Sequence, residues 1–446
     1  MTTGIDRRSF LHLTTAAGAG LALSPALLAQ TNAVSQEPIN LGLIGAGVQG
    51  ETLINACIKM GPDSGIRFKA VCDIWEDLSL SRVVGLLSRY GHEARGYVDY
   101  RDLLDAERDL DAVLIATPDC WHAEQTVACL KAGLHVYCEV PMSNTVDGAR
   151  QMVQTAQETG KLLQVGCQRR SNPRYLHCYD RLLNTTGLLG RVTAVNGQWN
   201  LPARSDRGWS QRRVLDPTIL QKYGYRSMHH LRNWMWYKGS GSGPVVTFGV
   251  HQVDVFNWFL QALPKSVTAR GGTYYYERDT HEWYDAVMAV FEYETDKGPL
   301  MAHYQTIASS GYGGSFEAFL GDQGSLELSE SPTRGGVYRD PEAPDWTKWI
   351  RLGFLRSPEV DAEQVTASVA LEAQETKPPA RYDIPVVVDV PYHQPHLANF
   401  FDAIRGKAAL RYTPEQAYQT AVTILKINEA VASGRTLHFS PQDLAV

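Results

Sequence analysis

The stretch Asn-Leu-Gly-Leu-Ile-Gly-Ala-Gly-Val-Gln-Gly, residues 40–50, restricts the fold of this chain more than any other. Leu41, Leu43 and Ile44 form a short apolar run suited to a buried parallel strand. Gly45, Gly47 and Gly50 follow at G-x-G-x-x-G spacing, and Leu53, Ile54, Cys57 and Ile58 then recur with a helical period. In such a turn the first glycine makes the bend and the second lets backbone approach a pyrophosphate. The third lets helix pack close on strand. The helix start adds unpaired N–H groups and a positive dipole end. Asp73 ends the run Ile66-Arg67-Phe68-Lys69-Ala70-Val71-Cys72, where a carboxylate can hold the adenosine ribose hydroxyls. Glycine spacing alone also describes ordinary turns. Strand, helix and Asp73 together predict dinucleotide binding. The acid favours NAD over NADP, because Ile74-Trp75-Glu76 carries no Arg or Lys to offset it.

The alternation continues. Leu78 to Tyr90 reads as a helix, and Tyr97 opens a strand-to-helix corner. Asp111 to Ala116 reads as a strand, His122 to Lys131 as a helix, and His135 to Cys138 as a strand. A helix follows from about Val146 to Gly160, then a strand from Leu162 to Gly166. Six strands separated by helices predict a doubly wound parallel sheet over residues 39–168. From about residue 190 the texture becomes strand-rich. Val192–Trp199, Ser266–Tyr276, Asp285–Tyr293, Pro299–Ile307, Phe316–Leu320 and Ser325–Leu328 are expected to form one mostly antiparallel sheet. The fold class is therefore α/β: a Rossmann domain followed, over residues 169–395, by an α/β domain with an open sheet. A helical segment over 396–446 closes the chain. Residues 331–390 read as a surface excursion, whereas Thr413, Pro414, Gln416 and Gly434 mark the last helix at both ends.

With 446 residues the chain can build two cores. Its formal charge of −6 provides no basic field for nucleic acid. The seven cysteines include no C-x-x-C pair, so neither a disulfide framework nor a zinc site is read from them. Residues 1–30 read as an export signal: Asp6-Arg7-Arg8-Ser9-Phe10-Leu11 precedes a mild apolar stretch with Ala26 and Ala29 as cleavage points. The pattern resembles a twin-arginine signal. It implies a periplasmic or otherwise exported protein, with no stable membrane insertion after cleavage.

Several spaced motifs resemble the glucose-fructose oxidoreductase and inositol dehydrogenase (Gfo/Idh/MocA) family. They are the Gly45 turn, Ala116-Thr117-Pro118 followed by His122, Glu139-Val140-Pro141, and Gly249-Val250-His251 with Asp254 and Trp258. The resemblance covers roughly residues 39–330. It implies an oxidoreductase with tightly bound NAD acting on a sugar, cyclitol or glycoside, assembled as a homodimer or homotetramer. It further implies that Thr117, Pro118 and Glu139 lie at the nicotinamide ribose, that His122 is structural or close to that ribose, that Gln168 approaches the carboxamide, and that His251 is catalytic.

The chain departs from the family pattern at two places. Val140 stands where the family usually has Lys, and Thr247 where it usually has Asp. Removing hydrogen from a secondary alcohol needs a base for the hydroxyl proton and a stabiliser for the oxyanion. Valine supplies neither. Tyr225 and Arg232, in a long aromatic and basic segment, are candidates for the missing donor. His229 and His230 sit in the same segment, and no third metal ligand follows them at suitable spacing. Arg169 and Arg170 read equally as an acid-binding pair or as salt-bridged charges. The family's relatives with Val in the Glu-x-Pro motif include glycosidases that oxidise a sugar transiently. A redox-neutral glycoside hydrolase or lyase is therefore the alternative.

Overall fold

The computed structural model describes residues 36–331, 333–357 and 379–446; the Arg7-Arg8 segment lies outside the described residues. The first sheet contains β1 (Ile39–Ile44), β2 (Ile66–Cys72), β3 (Arg95–Tyr97), β4 (Ala112–Ile115), β5 (His135–Cys138) and β6 (Leu163–Val165). Their order is β3-β2-β1-β4-β5-β6, with every pair parallel. The strand order reverses between β1 and β4. A crevice opens there at the carboxyl ends of the strands, the place where such sheets take ligands. β4 is buried at every residue, as expected of a strand covered by helices on both faces.

The second sheet has nine strands. These are β7 (Val192–Asn200), β8 (Pro264–Gly272), β9 (Ala286–Thr295), β10 (Gly298–Ile307), β11 (Ser315–Gly321), β12 (Gly324–Leu328), β13 (Gly336–Arg339), β14 (Ala380–Tyr382) and β15 (Leu437–His438). They run in the order β14-β13-β12-β11-β7-β10-β9-β8-β15, antiparallel except for the β7–β10 pair. Period-two alternation explains why the sheet is covered on one face. In β9, Val287, Ala289, Phe291 and Tyr293 are buried while Met288 and Val290 are exposed. The helices Pro244–Leu260 and Pro414–Ser433 pack on the sheet.

Two parts of the C-terminal third differ from the sequence expectation. β13 and β14 extend the large sheet, with Val337 and Trp346 buried, where a surface excursion is read from the Pro and Gly content. Strands this short carry no period of their own; their pairing partners supply the order. The helix Gln394–Ile404 then crosses back to the first domain. Leu397, Phe400 and Phe401 join the core that contains Leu41, Leu53 and Tyr137. The helix Pro414–Ser433 has the capping box and left-handed Gly434 that its sequence specifies.

Candidate active site

The glycine turn has the geometry needed to receive a phosphate. Gly45 has φ +99°, and a Cβ there would lie 2.5 Å from the Ala116 carbonyl oxygen. A Cβ on Gly50 would strike the Gly45 carbonyl at 2.1 Å, so any side chain would push the helix Val48–Lys59 off β1. Gly47 has open space around its missing Cβ. The three positions therefore provide a turn, a close packing contact and an open approach for a ligand. Asp73 Oδ2 accepts the Ala46 N–H and Oδ1 accepts the Trp75 N–H, each at 2.8 Å. Each oxygen keeps a free lone pair for a ribose hydroxyl. Burial raises the Asp73 carboxyl above its ordinary range, opposed by these backbone bonds and by Arg82 and Arg232.

A cavity of about 580 Å³ runs from this turn to the second sheet. Gly45, Gly47, Asp73, Thr117, Pro118, Glu139, Gln168, Tyr225, Arg232 and His251 all line it. Thr117 Oγ1 donates to Gln125 Oε1 at 2.7 Å. Glu139 accepts from Gln49 Nε2 at 3.0 Å, and burial raises its carboxyl while His393 lowers it. Gly166 makes room for it: a Cβ there would lie 2.6 Å from Glu139 Oε2. Gln168 Oε1 is buried without a hydrogen-bond partner among the described residues, which suits a carbonyl awaiting an amide donor.

The helix Pro244–Leu260 carries Thr247 and His251 four residues apart, hence on one face. Gly249 lets that helix approach β10, since a Cβ there would meet the Tyr304 ring at 2.6 Å. The His251 ring lies 5.6 Å from Trp199, and Arg169 Cζ lies 5.5 Å over the same indole. Thr247 Oγ1 and His251 Nδ1 are both buried without a partner among the described residues. Burial, then the charge of Arg169, holds the His251 imidazole well below its ordinary pKa. No carboxylate is among the groups that shift it.

Other sequence candidates are placed differently. His122 does not line the cavity. Its Nδ1 lies 2.8 Å from the Pro141 carbonyl oxygen and its Nε2 2.8 Å from that of Thr117, so the ring ties two cavity loops together. Arg232 lies over the Trp75 ring at 5.5 Å, and its charge acts on Asp73. Tyr225 packs in the cluster of Trp75, Leu220 and Tyr223, and burial keeps its phenol protonated. Both candidate donors are thus placed at the Asp73 end of the cavity. Arg169 and Arg170 are buried ion-pair partners rather than acid-binding groups. Arg169 meets Glu317 and Glu330, and Arg170 meets Asp254.

Sequence reasoning singled out the segment of His229 but missed two things at the site. The first is the pair Asp206 and His281, which completes a polar cluster with His229 on the substrate-domain wall. Asp206 receives His229 Nε2 at 2.7 Å and faces His281 Nε2 at 3.3 Å, and His229 Nδ1 meets the Tyr237 hydroxyl at 2.7 Å. Trp236 and Tyr276 line the cavity and pack on His281 at 4.4 and 4.3 Å. The second is His393, whose Nε2 lies 3.0 Å from Gln49 Nε2 across 344 residues of sequence. The one signal available for it is its position three residues before His396. Among the described residues no group of three or more His, Cys, Asp or Glu side chains has an arrangement that could hold a metal ion.

The glycine cradle, the acid at the tip of β2 and the lined crevice define a dinucleotide-binding enzyme of two domains. Residues 39–167 match the model described as "Oxidoreductase family, NAD-binding Rossmann fold", and residues 181–327 match the "GFO/IDH/MocA C-terminal domain". The chain belongs to the Gfo/Idh/MocA family of NAD-dependent oxidoreductases. An inositol 2-dehydrogenase from Rubrobacter xylanophilus is 27% identical over 68% of this chain and 74% of its own length. A glycosyl hydrolase family 109 protein from Shewanella sp. (strain ANA-3) is 28% identical over 55% of this chain, and the match spans 56% of that protein. The same fold is seen in the WlbA dehydrogenase from Bordetella pertussis, in complex with NADH and UDP-GlcNAcA. Its TM-score is 0.66 at 18% identity, covering 91% of this chain and 99% of that one. Levoglucosan dehydrogenase in complex with NADH matches with the same score and identity, over 91% and 100%.

Proposed function

We propose that the chain oxidises a hydroxyl of a sugar, cyclitol or glycoside with tightly held NAD. The observation that carries this reading is that one cavity joins the glycine cradle to His251 and to an aromatic wall of Trp199, Trp236 and Tyr276. Sugar C–H faces pack on such rings, while His and Asp meet the hydroxyls. In this reading Gly47 and Asp73 would hold the pyrophosphate and adenosine ribose, Thr117, Pro118 and Glu139 the nicotinamide ribose, and Gln168 the carboxamide; their lining of one cavity supports it. When bound, the dinucleotide supplies the acceptor for the hydrogen and electron pair that leave the substrate carbon. The chain's own task is the hydroxyl proton. His251, kept neutral by burial, is one cavity-lining group able to take part in its transfer.

A redox-neutral glycoside hydrolase or lyase is the second reading. Val140 in the Glu-x-Pro motif and the family 109 relative favour it. Chromogenic glycosides and free sugars, offered separately in deuterated water without added cofactor, separate the two. Aglycone release with deuterium at the carbon next to the oxidised one supports the hydrolase. Oxidised sugar formed only with an acceptor sugar supports the oxidoreductase. A protein that purifies empty and needs a continuous NAD supply refutes tight binding in either form.

Two further features belong to this reading. The Arg7-Arg8 pattern supports export to the periplasm after folding around the nucleotide. The open face of the large sheet, with Met288 and Met301 exposed, suits a homo-oligomer interface. No helix among the described residues is long and apolar enough to cross a membrane.

A further inference from the structure

Val140 leaves the site without the lysine that would shuttle the substrate proton, and the loop after β14 brings another titratable group to the same wall. Half-buried His393 lines the cavity together with Glu139, Val140, Thr247 and His251. It lies beyond both family-model matches, the second of which ends at residue 327. Its immediate partner is Gln49, and the hydrogen-bond chemistry there fixes its tautomer. The Gln49 amide nitrogen lies 3.0 Å from Glu139 Oε1 and 3.0 Å from His393 Nε2. A primary amide nitrogen has two hydrogens and no lone pair to give. Flipping the amide would set its carbonyl oxygen against the Glu139 carboxylate, so the nitrogen belongs between the two groups. Gln49 therefore donates one hydrogen to Glu139 and one to Nε2. The imidazole is neutral there, with Nε2 free of hydrogen and Nδ1 carrying it.

We propose that His393 is a second proton-handling residue of the active site and does the work that Lys does elsewhere in the family. The inference rests on the proposed oxidation of a substrate hydroxyl. In that step the O–H bond breaks and its proton is taken up at Nε2, displacing the Gln49 hydrogen bond. The neutral imidazole becomes a cation, and the Glu139 carboxylate faces it. The proton then leaves to water from the half-buried ring. His251 differs on each count. It is buried in the helix Pro244–Leu260, has Arg169 beside it and holds a proton poorly. The other titratable groups in the field of His393 are Glu139, His251 and His396. His396 is closed off by Ser171 at 2.7 Å and the Val165 carbonyl at 2.9 Å.

The experiment uses the full chain with His393→Gln and His393→Ala, and Val140→Lys added to each. The first readout needs no cofactor: the Glu139 carboxyl is followed by carbon NMR as pH is varied. In its cationic form His393 lowers that carboxyl's pKa, so the midpoint should rise in both His393 variants. The second is reduction of the protein's own bound dinucleotide by myo-inositol and a set of nitrophenyl glycosides across pH. Expected is a loss of at least about tenfold, below the usual hundredfold range because His251 remains. One limb of the pH profile should vanish, and Val140→Lys should restore part of the rate. An unmoved Glu139 midpoint, or an unchanged rate and pH profile in the variants, overturns the proposal. If the unsubstituted protein reduces its dinucleotide with none of these probes, the proposed function fails, and the carboxyl titration alone decides the placement of His393.

Discussion

Arg170 meets Asp254 through two hydrogen bonds, Nε to Oδ2 and Nη2 to Oδ1, each 2.8 Å long. Both side chains are buried, and Thr420 donates a further bond to Asp254 Oδ1 at 3.2 Å. The pair joins the loop after β6, which carries Gln168, to the helix that carries His251. It thereby fixes the distance between the two halves of the site. Asp254→Asn removes the charge and leaves a buried guanidinium uncompensated. The expected loss is about 3–5 kcal/mol of unfolding free energy, measured by urea denaturation. A loss under about 1 kcal/mol would show that the pair is dispensable to the fold.

Asp73 is expected to set the nucleotide preference. Its carboxylate repels a 2′-phosphate, yet Arg82, on the helix that follows, and Arg232, from the other domain, act on it. Asp73→Ser should weaken NAD binding and bring NADP up to comparable affinity, since the Asp73 charge no longer offsets Arg232, while Arg82 stays paired with Glu51. Adding Arg232→Ala should withdraw that gain. Titration of each variant with both nucleotides tests this. Tighter NADP than NAD binding in the unsubstituted protein contradicts it.

His251→Ala should lower turnover by at least about a hundredfold, the lower range for a lost acid/base group. Because burial holds its pKa well below 6.5, the His251 contribution should stay constant as pH falls from 8 to 6. Unchanged turnover in the variant would make the ring a packing residue between Trp199 and the helix.

Asp119 gives stability an unusual slope. It is buried, and burial pushes its carboxyl up to about 7, against hydrogen bonds from Ser242. The folded chain then holds this proton more tightly than the unfolded chain, whose carboxyl sits near 3.8. The contribution is therefore fully present below about pH 4 and is lost as pH rises to about 7, at about 1.4 kcal/mol per unit. Asp119→Asn should match the parent near pH 4 and exceed its stability by a few kcal/mol at pH 8. Thermal melts at the two pH values test this, and equal differences at both would refute it.

The nucleotide half was legible because its information is local. Gly45, Gly47 and Gly50 answer steric demands of one turn, Asp73 ends the strand beside it, and the Thr413–Gln416 cap marks its own helix. Strand alternation in β9 likewise needs no distant partner to be read. The sequence by itself therefore determined the Rossmann sheet and the glycine turn that opens it. Tertiary structure decided which side chains surround Val140 and Thr247. Arg169 and Arg170 follow a strand end and read equally well as ligand-binding charges, until Glu317, Glu330 and Asp254 arrive from elements not predictable as neighbours. Arg232 reaches Asp73 in the same way. His393 carries no pattern in its own stretch. The apolar face of Leu397, Phe400 and Phe401 buries against the first domain and carries the preceding residues onto Gln49. A periodic pattern encodes the backbone that bears it, whereas a side chain's partner is set by how whole elements pack.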